Sequence, residues 1–186
     1  MAQHFHVPLQ SGCDRILRQM NRRYWAAQYA ERVLAIGEQI PDCGIGADVM
    51  VGFPGETHAD HATSVHFIQA LPFTYLHIFP YSPRPGTPAA GQRDQVNGRE
   101  SRIRSQEIRG VIRAKRQRFL AAQVGRELSA LTLDETQESG RVALSSNYIK
   151  IVLPGSDIAP NRLLGVCIGG AHDELLYGCP EASPRR

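Results

Sequence analysis

The sequence predicts an α/β protein that continues into a small all-β domain, and three observations support this. Apolar runs of strand length alternate with helical segments over residues 3–90. An arginine-rich stretch without proline follows at 95–122. From Val124 onward, short alternating segments are separated by turn residues. We therefore expect parallel strands with right-handed crossovers, then a long basic helix, then a small barrel.

Length and composition fit one or two globular domains. The 186 residues are 42% hydrophobic and 21% charged, with a net charge of +3. The sequence has no apolar run long enough to span a bilayer and no leader-like start, so we expect a cytoplasmic protein. Its cysteines have no spacing typical of metal ligands, so we interpret them as reduced thiols and predict no metal site: Cys13, Cys43, Cys167 and Cys179.

The first segments read as a strand and two helices. Residues 4–9 alternate as a strand does, and Gln10 stands at its carboxyl end. Asp14 is expected to cap a first helix that carries Ile16 and Leu17 on one face. Residues 25–40 have apolar side chains at helical spacing, and Pro41 ends that helix.

The second strand leads into a glycine-rich loop. Residues 43–51 end in an apolar run, and Gly52, Pro54 and Gly55 follow. Thr57 is expected to cap the next helix, at 61–71, with Asp60 in its first turn. In α/β proteins ligands bind at the carboxyl ends of strands, so this loop is a candidate ligand site. A tight connection that binds nothing is the alternative.

A third strand is predicted at 73–79, before a proline-rich segment at 80–88. The polar strand endings Gln10, Asp48 and Tyr81 are then expected to meet at one edge and to share one ligand. Ordinary turn and capping chemistry explains each of them equally well when it is taken singly.

The predicted helix at 95–122 carries eight basic and two acidic residues, a local net charge of +6. Arg113 and Arg116 belong to this set. A solvated helix face is one interpretation, and a face for nucleic-acid phosphates is the other. Gly110 lowers the local helix stability by ~1 kcal/mol relative to alanine.

Five short strands are predicted in the last third, with turns near Gly140, Asn147 and Gly155. The strands are expected at 127–132, 141–144, 148–153, 163–168 and 174–177. Five short strands with turn signals favour a small barrel.

Four motifs in this order resemble the radical S-adenosylmethionine methylthiotransferases. They lie at 6–12, 20–22, 48–57 and 79–88, and the resemblance covers nearly the whole chain. Segments 4–6 and 147–151, with Cys13, are most similar to the branch that modifies N6-threonylcarbamoyladenosine next to the tRNA anticodon. The isopentenyladenosine branch and the branch that modifies a ribosomal-protein aspartate rank second and third.

The resemblance implies a particular domain order. Residues 1–92 would form the distal half of a partial (βα)6 radical-SAM barrel, and 93–124 a basic helical extension. Residues 125–178 would form a TRAM domain, an OB-like RNA-binding barrel. Residues 179–186 are expected to be a disordered tail.

The resemblance also implies binding residues. Gln10, Asp48, Gly52, Phe79, Pro80 and Tyr81 would contact S-adenosylmethionine, since glycine permits close approach and aromatic rings stack. Ser82 and Arg84 would bound the substrate opening. Candidate RNA contacts are Arg126, Arg141, Tyr148 and Lys150. For Tyr148, packing within the barrel is an equal alternative.

Full-length members use S-adenosylmethionine and 4Fe-4S clusters, one of them held by a CxxxCxxC motif. That motif and the N-terminal domain are absent from this sequence, so we expect a catalytically incomplete fragment that has no catalytic or metal-binding residue of its own. The expected partners are the tRNA anticodon loop and the missing N-terminal half, with no membrane. A stand-alone RNA-binding module and an inactive remnant are the alternatives.

Overall fold

A computed structural model describes residues 3–137, 140–155 and 158–181. The helices are α1 Asp14–Gln19, α2 Ala26–Gln39, α3 His58–Ala70 and α4 Gly98–Ala121, with a 3-10 turn at Pro88–Gly91. The strands are β1 His4–His6, β2 Gly44–Val51, β3 Tyr75–Pro80, β4 Glu127–Gln137, β5 Gly140–Ser145, β6 Lys150–Pro154, β7 Leu163–His172 and β8 Leu175–Pro180. Within the described residues, none of the helices combines the length and apolar character needed to cross a membrane.

The chain divides into two compact units. One contains Phe5–Pro41 and Ile45–Lys115, and the other contains Met1–His4, Asp42–Gly44 and Arg116–Arg186. The boundary therefore falls inside α4, whereas the family resemblance implied boundaries at 92 and 124. The reason is that Leu120, in the last turn of α4, is buried in the hydrophobic core of the β domain.

The first unit is built on a three-stranded sheet in the order β1-β2-β3. Strands β2 and β3 pair in parallel, and Gln10 forms a parallel bridge with Val49. The predicted parallel pairing is thus confirmed for these strands. Alternate residues of β2 are buried, among them Ile45, Ala47 and Val49, while Asp48 is only partly covered. One face of the sheet therefore packs into the core, and the other is more open.

Three local features differ from the sequence prediction. Strand β1 is shorter than the predicted 4–9. Asp14 is the first residue of α1, and its carboxylate instead accepts a hydrogen bond from Ala26 N, 2.7 Å away, at the start of α2. The 3-10 turn at Pro88–Gly91 was not predicted; Pro88 fits there because the first turn of a helix needs no N–H from it. The expected cap of α3 is present, with Thr57 Oγ1 accepting from Asp60 N.

The second unit contains a closed five-stranded barrel in the order β4-β5-β6-β8-β7. The five predicted strands are therefore present, although β4 and β7 extend further than expected. Part of the predicted tail is wrong, because Cys179 and Pro180 pair with Cys167 and Val166 in the sheet. Residues 182–186 of that predicted tail lie outside the described residues.

Candidate functional site

The carboxyl ends of the three parallel strands lie at one edge of the sheet. Gln10 N donates to Asp48 O at 2.8 Å, and Met50 N donates to Gln10 O at 2.8 Å. Tyr81 N donates to Val51 O, also at 2.8 Å. Gln10 has a φ of 67°, a left-handed conformation that is uncommon for residues other than glycine and that clusters at functional sites. The strand ends therefore bring Gln10 and Tyr81 to the same edge as the loop after β2.

That loop is held by a buried carboxylate. Gly52 N donates to Glu56 Oε2 at 2.6 Å, and the guanidinium of Arg104 donates to the same oxygen at 2.7 Å. Arg104 also bonds Glu56 O and the carboxylate of Glu100. The Arg104 side chain is only 4% exposed, so this member of the basic helix serves the loop and does not face solvent.

Gly52 is required by the local geometry of the loop. Its φ is 72°, and a side chain there would collide with the hydroxyl of Ser101 on α4. Gly52 therefore packs closely against helix α4 of the protein itself.

Aromatic side chains stand next to this edge. Phe79, which precedes Pro80 at the end of β3, is 50% exposed. The ring of Tyr81 meets Phe53 edge-on, with 5.3 Å between centroids. The Tyr81 hydroxyl is buried and has no hydrogen-bond partner among the described residues. Ser82 is exposed in the segment that follows.

Arg84 is exposed beyond the same edge. Its backbone carbonyl accepts hydrogen bonds from Thr87 N at 3.2 Å and from Thr87 Oγ1 at 2.8 Å. This turn orders the backbone next to the Arg84 side chain.

Asp60 ties α1 to the start of α3. Its carboxylate accepts from Arg15 Nε at 2.9 Å, from Thr57 N at 2.8 Å and from Cys13 Sγ at 3.2 Å. The hydrogen bond from Arg15 holds the pKa of Asp60 well below its usual range, despite the opposing effect of burial. The pKa of the Cys13 thiol is raised, chiefly by burial and also by Asp60.

The open face of the sheet carries a cluster that the sequence analysis missed. His6 Nε2 and His77 Nδ1 each lie 3.2 Å from Asp48 Oδ1. Tyr75 Oη lies 3.0 Å from His6 Nδ1. Side chains alternate between the two faces of each strand, so the shared face of His6, Asp48 and His77 follows only when the strand register is known. In the structure Asp48 is paired directly with His77.

The thiols do not fit an iron–sulfur cluster. Cys13 and Cys43 are buried, and desolvation raises the pKa of both, which favours the thiol over the ligating thiolate. Cys167 and Cys179 are exposed and face each other across β7 and β8, which offers two ligands. A 4Fe-4S cluster is held by a larger set of thiolates.

Helix α4 presents arginines along one side. Arg99, Arg102, Arg109 and Arg113 are all exposed. At 3.6 residues per turn their positions fall within an arc of about 80°. Arg116, which is partly buried, continues the same spacing in sequence. These exposed guanidinium groups therefore form one basic stripe in the first unit.

The predicted RNA contacts of the barrel have different surroundings. Arg141 Nε donates to Ile158 O at 2.9 Å and its side chain is only 14% exposed, so it supports loop backbone. Lys150 pairs with Glu135 at 2.8 Å, and Arg126 pairs with Asp42. Tyr148 has a φ of 65° and stacks on His4, with ring centroids 4.2 Å apart. Tyr148 therefore packs against His4 and is still half exposed.

Comparison with curated proteins finds relatives that are named as tRNA-modifying enzymes. A threonylcarbamoyladenosine tRNA methylthiotransferase, MtaB, of Aquifex aeolicus is 39% identical over 83% of this chain. A tRNA-2-methylthio-N(6)-dimethylallyladenosine synthase of Paracoccus denitrificans is 36% identical over 88%, and one of Anaplasma phagocytophilum is 33% identical over 96%. Models of known protein families give no match.

The relatives define a class of protein, the tRNA methylthiotransferases. The chain belongs to the methylthiotransferase family, as the resemblance of its four motifs predicted. It spans between 37% and 40% of the length of these three relatives.

Proposed function

We propose that this chain is the part of a tRNA methylthiotransferase that supplies one side of an S-adenosylmethionine pocket and an RNA-binding barrel. In the complete enzyme a methylthio group would be added to a modified adenosine next to the anticodon. This proposal rests on the three parallel strand ends, which meet at one edge of the sheet. The chain is related to such enzymes over most of its length.

The sheet supports the proposed partial barrel. Its strands follow each other in chain order, and apolar residues on one face of β2 are buried while Asp48 stands on the open face. A sector of a (βα) barrel has this arrangement, with one face of the sheet turned to the interior. On this proposal the open face lines the interior of a barrel that other segments would complete.

The strand edge offers suitable groups for S-adenosylmethionine. Phe79 presents a half-exposed ring to a purine. The buried hydroxyl of Tyr81, which has no hydrogen-bond partner among the described residues, is a second candidate contact. Gln10 and Asp48 would contact the polar part of the molecule, and Gly52 would position the loop. Bound in the complete enzyme, S-adenosylmethionine would supply the radical and methyl chemistry.

We propose that the RNA-binding surface includes the basic stripe of α4 and, separately, the barrel. Arg113, Arg116, Arg126 and Lys150 would meet phosphates, with Ser82 and Arg84 at the substrate opening. Arg141 contributes less on this proposal, because its guanidinium already bonds backbone carbonyls. Tyr148 would offer the exposed part of its ring to a base.

For the substrate we propose N6-threonylcarbamoyladenosine first, in line with the name of the relative with 39% identity. The alternative is an isopentenyl-type adenosine, because the relative with 36% identity is a dimethylallyladenosine synthase. A ribosomal-protein aspartate ranks third. Catalysis by the chain alone is not part of the proposal, since its described thiols do not fit a cluster.

Isothermal titration with S-adenosylmethionine tests the proposed pocket. We expect binding to the full chain, and we expect Phe79→Ala to weaken it by about 1–3 kcal/mol, the usual cost of losing an aromatic stacking partner. Leu163→Ala is the matched control, because Leu163 is an exposed apolar residue of β7. Equal weakening by both variants, or no binding to the wild-type chain, would contradict the proposal.

A further inference from the structure

The open face of the sheet carries two imidazoles and one carboxylate at metal-ligand spacing. His6, Asp48 and His77 each offer one atom, and the three atoms lie within 4.8 Å of one another. We propose that these residues form a binding site for a divalent first-row transition metal such as Zn²⁺. These three side chains define the site by themselves, so it does not depend on the proposed transferase activity.

The two distances to the Asp48 carboxylate are close to those expected between ligands of one metal ion. Two ligands held about 2.0–2.1 Å from a tetrahedral zinc are about 3.4 Å apart. His6 Nε2 and His77 Nδ1 both lie 3.2 Å from Asp48 Oδ1. His77 is 56% exposed, which gives its ring room to turn toward His6. On this proposal the His77 ring rotates so that all three donors face one ion.

The partner of His6 strengthens this assignment. Tyr75 Oη lies 3.0 Å from His6 Nδ1, so the ring is oriented with Nε2 toward Asp48. Histidines that bind metals nearly always use their second nitrogen in such a hydrogen bond, which fixes the tautomer and ring orientation. Because the cluster is built on adjacent strands in fixed register, the donor spacing is set by the sheet.

The donor set selects the class of metal. Two imidazole nitrogens and one carboxylate suit zinc, iron, nickel or copper, whereas calcium and magnesium prefer oxygen ligands. His6 and His77 are both exposed, so the three protein ligands leave coordination positions on the open side of the sheet. A site of three protein ligands with an open position is the kind that holds a water molecule or a substrate oxygen.

Metal titration of the full chain tests the site. The chain is prepared without an affinity tag and with Cys167→Ser and Cys179→Ser, since these exposed thiols would otherwise bind the same ions. Co²⁺ absorption and Zn²⁺ competition with an indicator dye give stoichiometry and affinity, and NMR follows the ring nitrogens of His6 and His77.

We expect one ion per chain and shifts confined to those two rings. Asp48→Asn and His77→Gln should each weaken binding by about 100-fold or more, and Tyr75→Phe by about 10-fold. His172→Gln is the matched control, because His172 pairs with Asp173 on an exposed part of the barrel. The unfolding midpoint of each variant establishes whether the fold is retained. Because His77 is exposed, His77→Gln should have little effect on packing.

Each of three results would overturn the site. The first is the lack of stoichiometric binding, which would leave His6, Asp48 and His77 as a hydrogen-bonded trio. The second is equal binding by wild type, Asp48→Asn and His77→Gln, which would place the ion elsewhere. The third is loss of binding in His172→Gln, which would locate the ion on the barrel.

Discussion

Arg104 shows how a single charged residue can belong to the core. Its side chain is 4% exposed and that of Glu56 is 2% exposed, and the pair holds the loop after β2. Removal of one partner from a buried ion pair leaves an uncompensated charge, which typically costs about 3–5 kcal/mol.

We therefore expect Arg104→Met to lower the free energy of unfolding by about 3–5 kcal/mol in urea denaturation. Arg102→Met is the matched control on the same helix, and because Arg102 is exposed it should change stability by less than about 0.5 kcal/mol. Similar effects of the two substitutions would show that the Glu56 contact does not stabilise the loop.

Asp60 makes stability depend on pH. Its pKa is lowered in the folded state, mainly by Arg15, so the unfolded chain binds a proton at a higher pH than the folded chain does. The stabilisation is fully present above the ordinary aspartate pKa of about 3.9 and is lost as the pH falls below it toward the folded value.

Urea denaturation at pH 7 and pH 3 measures this contribution. The difference in free energy of unfolding between wild type and Asp60→Asn should be larger at pH 7 than at pH 3. Asp173→Asn, at an exposed position, should show no such change. A difference that grows toward low pH would contradict the role of the Arg15 contact.

At the scale of single residues, the sequence predicted local roles such as helix capping better than roles that depend on the tertiary structure. Thr57 and Asp60 were recognised as a helix start because capping is local. The burial of Arg104 was not predictable from a charge count, which treats buried and exposed arginines alike. The grouping of His6, Asp48 and His77 depends on the register of three strands, which the sequence does not state.

At the scale of elements, helix α4 combines an exposed basic stripe with residues that pack. Ile108 and Leu120 are buried, whereas Gly110 is exposed and has open space where a side chain would be. Glycine inside a helix costs about 1 kcal/mol relative to alanine.

Gly110→Ala should therefore raise the free energy of unfolding by up to about 1 kcal/mol, as measured by thermal or urea denaturation. Gly52→Ala is the opposing control, because its positive φ and the Ser101 hydroxyl exclude a side chain and it should destabilise. A loss of stability in Gly110→Ala would indicate that this part of α4 is not a regular helix.

Most helices and strands were predicted to within a few residues, because their apolar periodicity is strong. Strand β2 begins one residue later than expected and ends as predicted. The largest deviations lie at β4 and β7, where pairing with β5 and β8 extends the strands beyond their alternating cores. The prediction of a disordered tail was wrong at Cys179 and Pro180 for the same reason, because local composition does not reveal that these residues pair with β7.

At the scale of the whole molecule, the chain consists of two compact units and spans about two fifths of its relatives. The proposal of an incomplete enzyme predicts a chemical result. After reconstitution with iron and sulfide under reducing conditions, the chain should form no 5′-deoxyadenosine from S-adenosylmethionine above a control without protein. Product above that control would contradict the conclusion that its thiols do not fit a cluster.

The most direct test of the central claim is the binding of a tRNA anticodon stem–loop, measured by fluorescence anisotropy over a range of salt concentrations. We predict that the logarithm of affinity falls linearly with the logarithm of salt concentration and that Arg113→Gln reduces the slope by about 1. Arg23→Gln, an exposed arginine outside α4, should leave the slope unchanged. Absent or salt-independent binding, or equal slopes for wild type and Arg113→Gln, would contradict the account.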